Sequence, residues 1–131
     1  MKKLIVTAGI AALLFAACKS NIEPKQLYGK WKYTRVQNLK ATPPDSIRRV
    51  DLEEQQPYII FGKDNSVQIL WDGKVLSHGK FTTDGDNIKV KEQLADGTTR
   101  EFPFYVSKLD DKTLIFESMG TDGSTVTAVK E

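Results

Sequence analysis

From residue 28 the chain alternates between apolar and polar positions. Trp31 and Tyr33 stand between Lys30, Lys32 and Thr34, a period of two that predicts a first strand over 28–36. After Pro57 the pattern recurs in short runs over 58–61, 67–71, 75–82, 87–93, 99–107, 112–118 and 124–130. Between the runs lie Lys63-Asp64-Asn65-Ser66, Asp72-Gly73, Asp84-Gly85, Asp96-Gly97, Asp110-Asp111 and Asp122-Gly123. Asp-Gly between alternating runs is a strong hairpin signal, because both residues accept positive φ. The turns recur about every 8 to 14 residues, the spacing of an all-β meander. The predicted fold is therefore all-β: about eight antiparallel strands joined in order as an up-and-down barrel. Closure removes both sheet edges, and eight strands leave an interior that is just filled or holds one small ligand. A flattened or open sandwich is the alternative.

One connection is long. Pro43-Pro44 ends any strand. Asp45 or Ser46 is expected to cap a short helix through Ile47, Val50 and Glu54, with Arg48 and Arg49 on its outer face. The stretch 38–56 is either a solvated loop or a lid over a barrel mouth.

Alternate residues of each strand point inward. Counting from Trp31 places Tyr33 and Arg35 on its face. The apolar alternate sets elsewhere are Val67, Ile69 and Trp71; Ile88 and Val90; Phe102, Phe104 and Val106; and Leu114 and Phe116, with Phe81 joining them. The candidate cavity set is Trp31, Tyr33, Arg35, Phe61, Ile69, Trp71, Phe81, Phe104 and Phe116. These side chains either fill a core or line an apolar cavity with a few polar groups. A buried Arg35 needs an acidic or polar partner, which an anionic ligand head group would supply; after a bulge Arg35 would instead sit outside.

The first 17 residues have another character. Met1-Lys2-Lys3 is positive, and 4–17 is an uncharged apolar run. That order is a secretory signal, and the run is shorter than the roughly 20 residues that cross a bilayer. Leu14-Phe15-Ala16-Ala17-Cys18 resembles the lipobox of bacterial lipoproteins, with Phe15 where that family usually has Leu. The resemblance implies cleavage before Cys18 and attachment of lipid to its thiol. Cys18 is the only cysteine, so it has no disulfide partner in the chain. The expected division is 1–17 signal peptide, 18–26 lipidated polar tether and 27–131 barrel domain.

Removing the leader changes the charge. The chain carries 19 Lys and Arg against 17 Asp and Glu, and Lys2 and Lys3 account for the excess. The remainder is balanced, which argues against nucleic acid as a partner.

Candidate catalytic chemistry is thin. His78 is the sole histidine, without Cys or His neighbours for a metal site. Asp84-Gly85-Asp86-Asn87 faintly resembles a calcium loop but lacks the spaced acidic ligands. Glu53-Glu54 and Asp110-Asp111 are adjacent pairs whose side chains diverge in a strand. No phosphate-binding glycine loop is present. The expectation is no enzyme, no cofactor and no metal.

Gly29-Lys30-Trp31 resembles the lipocalin G-x-W motif. The run 27–32, Phe61-Gly62-Lys63-Asp64-Asn65, Gly79-Lys80-Phe81 and 108–114 resemble, in order, a group of small bacterial lipoproteins with a lipocalin-like domain. Asn65 stands where that group has glycine. The resemblance implies that Trp31 packs across the closed end of the barrel with a basic residue, Lys130, against it. It implies no catalytic residue. The expected function is a lipid-anchored envelope lipoprotein that binds a small apolar or amphipathic ligand. The expected partners are the membrane, held through Cys18, and a small lipophilic ligand; the sequence names no partner protein. The alternative is a filled barrel acting as a protein-interaction or inhibitor module. The expected location is the outer membrane, facing the periplasm.

Overall fold

The alternating runs do become strands. The computed structural model describes residues 21–39, 41, 43–118 and 123–131. A helical turn α1 (Pro24–Leu27) precedes β1 (Gly29–Asn38). Then follow β2 (Asp45–Ser46), α2 (Arg49–Gln55), β3 (Tyr58–Phe61), β4 (Ser66–Trp71), β5 (Lys74–Asp84), β6 (Asn87–Gln93), β7 (Thr99–Leu109), β8 (Thr113–Ser118) and β9 (Thr125–Lys130). Strands β3 to β9 pair in sequence order, β1 pairs with β3, and β1 also pairs with β9. These eight antiparallel strands form a closed barrel, not an open sandwich. β2 adds two residues beside the far end of β1.

Three β-bulges shape the barrel, each adding an unpaired residue that shifts which side chains face inward. The one on β1 lies between Tyr33 and Arg35, opposite Ala128 and Thr127. It turns Val36 inward and leaves Arg35 exposed, so the expected inward Arg35 is corrected. Simple alternation fails there because the bulge is set by pairing with β9, far along the chain. The bulge on β5 leaves Leu76 unopposed, and the one on β7 does the same to Ser107.

The turns use aspartate in two ways. Asp72 and Gly73 both adopt positive φ, 53° and 75°, as a tight hairpin turn demands. Asp64, Asp96 and Asp110 instead accept hydrogen bonds from residues just ahead of them. Those bonds hold their carboxyls below the usual range. For Asp64 the donor is Ser66, for Asp96 Thr98, and for Asp110 the N–H groups of Lys112 and Thr113.

One end of the barrel is solid. Leu27, Trp31, Ile59, Phe61, Val67, Phe81, Ile88, Leu114 and Ala128 are each at most 2% exposed. Phe61 and Phe81 meet edge to face, 5.0 Å between centroids. α1 closes this end through its buried Leu27. Just ahead of it, the Ile22 N–H donates to Gly85 O at 3.0 Å. The polar tether expected up to Gln26 is therefore corrected over 22–26, where the chain is folded against the barrel. A four-residue helix carries too little pattern to be seen in a sequence. It exists because Leu27 is buried and Glu23 and Gln26 cap each other.

Gly79 shows how tightly the strands approach. A Cβ there would collide with the backbone oxygen of Lys91, so no larger residue fits without moving β6.

The long connection also departs from expectation. Asp45 and Ser46 do not cap a helix. Their backbones pair with β1, and α2 begins after Arg48 with no side-chain cap. The later start rotates the buried face. Leu52 is the residue that enters the core, while Val50 is exposed. Arg48 and Arg49 lie outside as expected, paired with Asp51 and Glu53.

Candidate functional site: the barrel mouth

All strands end either at the closed end or at the opposite mouth. The mouth receives the far ends of β1, β4, β6 and β8 and the beginnings of β3, β5, β7 and β9. Here the interior is dominated by aromatic side chains. Trp71 meets Tyr33 edge to face at 6.2 Å, and Tyr33 meets Phe116 at 6.0 Å. Phe116 meets Phe104 at 4.9 Å, and Phe104 meets Phe102 at 5.3 Å. Five rings thus run in a continuous chain across the mouth. Such pairs add about 0.5–1.5 kcal/mol each beyond area burial.

The chain of rings has a polar group at each end. At one end the Trp71 indole N–H donates to the Gln55 side chain of α2, and the Asp72 N–H donates to Gln55 O at 2.8 Å. α2 is thereby fastened to the rim, with Leu52 packed beneath it. At the other end the Arg100 guanidinium lies over Phe102, 5.5 Å from the ring centre. Arg100 Nη2 donates to Glu92 Oε1 at 2.6 Å, and Ser77 Oγ donates to Glu92 Oε2 at 2.5 Å. Glu92 is 8% exposed and is the only buried charged residue among the described residues.

Beside this cluster is a cleft of about 300 Å³ lined by Arg100, Phe102, Pro103, Phe104 and Ser118. It opens because β7 continues past its last pairing with β8, at Phe104 and Ser118. A larger groove, about 430 Å³, lies on the outer wall and is lined by Gln68, His78, Lys80, Lys91 and other polar residues. His78 is exposed there.

Several large apolar side chains are exposed around the rim. Leu39, Val50, Val75, Leu76 and Leu94 are all exposed, Leu76 by 63%. They come from the β1–β3 connection, the β4–β5 hairpin and the end of β6, so they ring the opening.

A crystal structure of a lipocalin-like protein from Bacteroides uniformis ATCC 8492 superposes with a TM-score of 0.56, covering 81% of this chain and 99% of that chain. The fold is lipocalin-like. Sequence identity is 18%, so the likeness is one of fold. No protein-family model matches the chain, and no curated protein matches it.

The lipocalin-like closed end has a direct physical basis. Trp31 and Lys130 are directly paired across β1 and β9. Lys130 Nζ lies 5.2 Å from the Trp31 ring, within cation–π range. Gly29 makes this arrangement fit, because a Cβ there would fall 2.8 Å from Lys130 Cε, and its φ is +131°. The Trp31 indole N–H donates to Leu27 O at 2.8 Å.

The expected cavity residues fall into two groups. Trp31, Phe61 and Phe81 belong to the solid closed end. Tyr33, Ile69, Trp71, Phe104 and Phe116 belong to the mouth half, where Ile69 and Trp71 are half-buried. Arg35 belongs to neither. Sequence reading missed Glu92, Arg100, Ser77 and Gln55. The signal for Glu92 was present, since Ile88, Val90 and Glu92 share one parity on β6. Among the described residues no group of three or more His, Cys, Asp or Glu is placed to hold a metal ion. Asp84 pairs with Lys89 at 3.2 Å beside the turn at Gly85.

Tyr33 allows a pH test of the mouth core. Burial pushes its phenol above the ordinary value of about 10. A raised folded value means that stability is intact below the ordinary value and falls as pH rises above it. Each pH unit above about 10 costs roughly 1.4 kcal/mol until the phenol ionises or the chain unfolds. Denaturation midpoints at pH 9 and 11 should therefore separate by about 1 kcal/mol more in the wild type than in Tyr33→Phe. Equal pH dependence in the two proteins would contradict the buried phenol.

Proposed function

We propose that the protein is a lipid-anchored, lipocalin-like binding module of the bacterial envelope that holds a small apolar or amphipathic ligand at its barrel mouth. The observation that carries this reading is the cleft of about 300 Å³ beside the chain of aromatic rings. Its size is at the lower end of ligand pockets, and its lining is apolar with one charged group, as such sites usually are. The closed end is too well packed to share this role. Binding without chemistry is the function; no enzymatic step is assigned.

Anchoring and address rest on the sequence. The leader 1–17 and residues 18–20 lie outside the described residues, and the lipobox resemblance supports lipidation at Cys18. Ile22, which is bonded at the closed end, follows Cys18 by only four positions. At about 3.3–3.6 Å per extended residue, that span reaches roughly 14 Å. The closed end is then the membrane side, and the mouth faces away from the anchoring leaflet into the periplasm.

Native mass spectrometry of protein released gently from membranes should show one small organic molecule per chain. A screen of lipophiles should quench Trp71 fluorescence, with Phe104→Ala weakening binding about tenfold. No bound molecule and no quenching by any lipophile would defeat the reading. The apolar rim would then favour the second reading, an interaction or inhibitor module docking through Leu39, Val50, Leu76 and Leu94.

A further inference from the structure

We infer that the mouth selects an uncharged amphiphile whose head group accepts hydrogen bonds, such as an ester, amide or hydroxyl, over a fatty acid of the same chain length. This rests on the mouth being the binding site, and it concerns the pair Arg100 and Glu92.

An arginine at the opening of an apolar cleft ordinarily favours a ligand carboxylate. Here that charge is already spent. Arg100 and Glu92 are direct cross-strand partners on β7 and β6, and their side chains meet at 2.6 Å. Both Glu92 oxygens are engaged, one by Arg100 and one by Ser77. The buried carboxylate therefore stays with the guanidinium, and the cluster presents no net charge to the cleft.

Arginine has five N–H donors. Among the described residues, one of them is used, from Nη2, in this pair. The side chain is 65% exposed and lines the cleft. Its orientation is fixed from two sides, by Glu92 and by the Phe102 ring beneath it. The result is a set of held donors that no described residue takes up, without free positive charge. A ligand carboxylate placed on them would lie across one guanidinium from the Glu92 carboxylate, and repulsion would offset its attraction to Arg100. A neutral carbonyl or hydroxyl takes the same hydrogen bonds without that penalty. The ligand's apolar body would lie along Phe102 and Phe104.

The test compares monolaurin with laurate at pH 8, read by titration calorimetry on the purified protein. Monolaurin is expected to bind at least tenfold tighter. Glu92→Gln leaves Arg100 with uncompensated charge and should move the preference at least tenfold towards laurate. Arg100→Gln removes the donors and leaves the Glu92 carboxylate uncompensated, so it should weaken monolaurin about tenfold and laurate at least as much. Laurate binding the wild type as tightly as monolaurin overturns the inference while leaving the mouth as a binding site. If neither amphiphile binds and the lipophile screen is also empty, the binding site itself fails and the selectivity fails with it. The wild-type comparison decides the matter even where Glu92→Gln does not fold.

Discussion

Trp31→Ala is expected to cost about 3–5 kcal/mol, the range for deleting a large aromatic from a packed core. Trp31 is 0% exposed and sits where β1 meets β9 and β3. Its removal opens a cavity that Leu27, Phe61 and Leu114 cannot collapse into, since each is held by its own strand or turn. Leu27 O also loses the indole N–H that it accepts at 2.8 Å. Lys130 loses the ring it lies over. Small domains have only about 5–15 kcal/mol in total, so this one change removes a large part of the margin. With a urea slope of about 1–3 kcal/mol per molar, the midpoint should fall by roughly 2 M. Trp31→Phe keeps most of the apolar volume but drops the hydrogen bond, and should cost about 1–2 kcal/mol. A midpoint shift below about 0.5 M for Trp31→Ala would mean that the closed end does not depend on this residue.

The barrel was legible because its determinants are local. Alternation and turn residues are encoded within each hairpin, and seven of the eight barrel strands follow one another with no intervening element. What could not be read was set by contacts distant in sequence. The bulge that expels Arg35 depends on how Thr127 and Ala128 align with β1. β2 and α1 are too short to carry a periodic signal, and they form only because β1 and the barrel end are there to receive them.

The mouth was half legible. Its aromatic members Tyr33, Trp71, Phe104 and Phe116 were found by parity. Its polar cluster was missed for a different reason. Glu92 has inward parity, yet a carboxylate is costly to bury, so without its partner it reads as a solvent residue. The partner becomes visible only in the register that sets Glu92 opposite Arg100 and beside Ser77. A sequence search that counted inward-parity charges, and paired them across adjacent hairpins, would have found both.

The bulges do more than bend strands. The one on β5 leaves Leu76 unopposed at the mouth, which is why an aliphatic side chain projects from the rim. A solid closed end and a mouth lined by a chain of rings with an exposed rim divide the barrel into a tightly packed half and a half that, on the proposed reading, meets other molecules. The proposed anchor belongs to the first half, through the bond from Ile22 to Gly85. On the proposed reading, attachment and binding use opposite ends, and a change at one need not disturb the other.

Cys18→Ala should move the protein from the membrane fraction to the soluble fraction by more than tenfold. The thiol is the only group in the chain suited to carry the lipid, because Cys18 is the only cysteine. Each buried CH₂ contributes about 0.8 kcal/mol, and a single acyl chain holds only marginally, so the several chains implied by the lipobox resemblance make a lasting anchor. Nothing else in the described residues replaces it. No helix there is long and apolar enough to cross a membrane. With Lys2 and Lys3 removed, Lys and Arg balance Asp and Glu, which leaves no net attraction to an anionic surface. The measurement is fractionation after a high-salt wash, together with incorporation of an alkyne-tagged palmitate and an intact mass that reports leader cleavage. The wild type should carry label and pellet with the membranes. The variant should carry none and remain in the supernatant, with its denaturation midpoint unchanged, because residue 18 lies ahead of the closed end. A leader-cleaved, unlabelled variant that still pellets after the wash would show that something other than Cys18 holds the protein to the membrane.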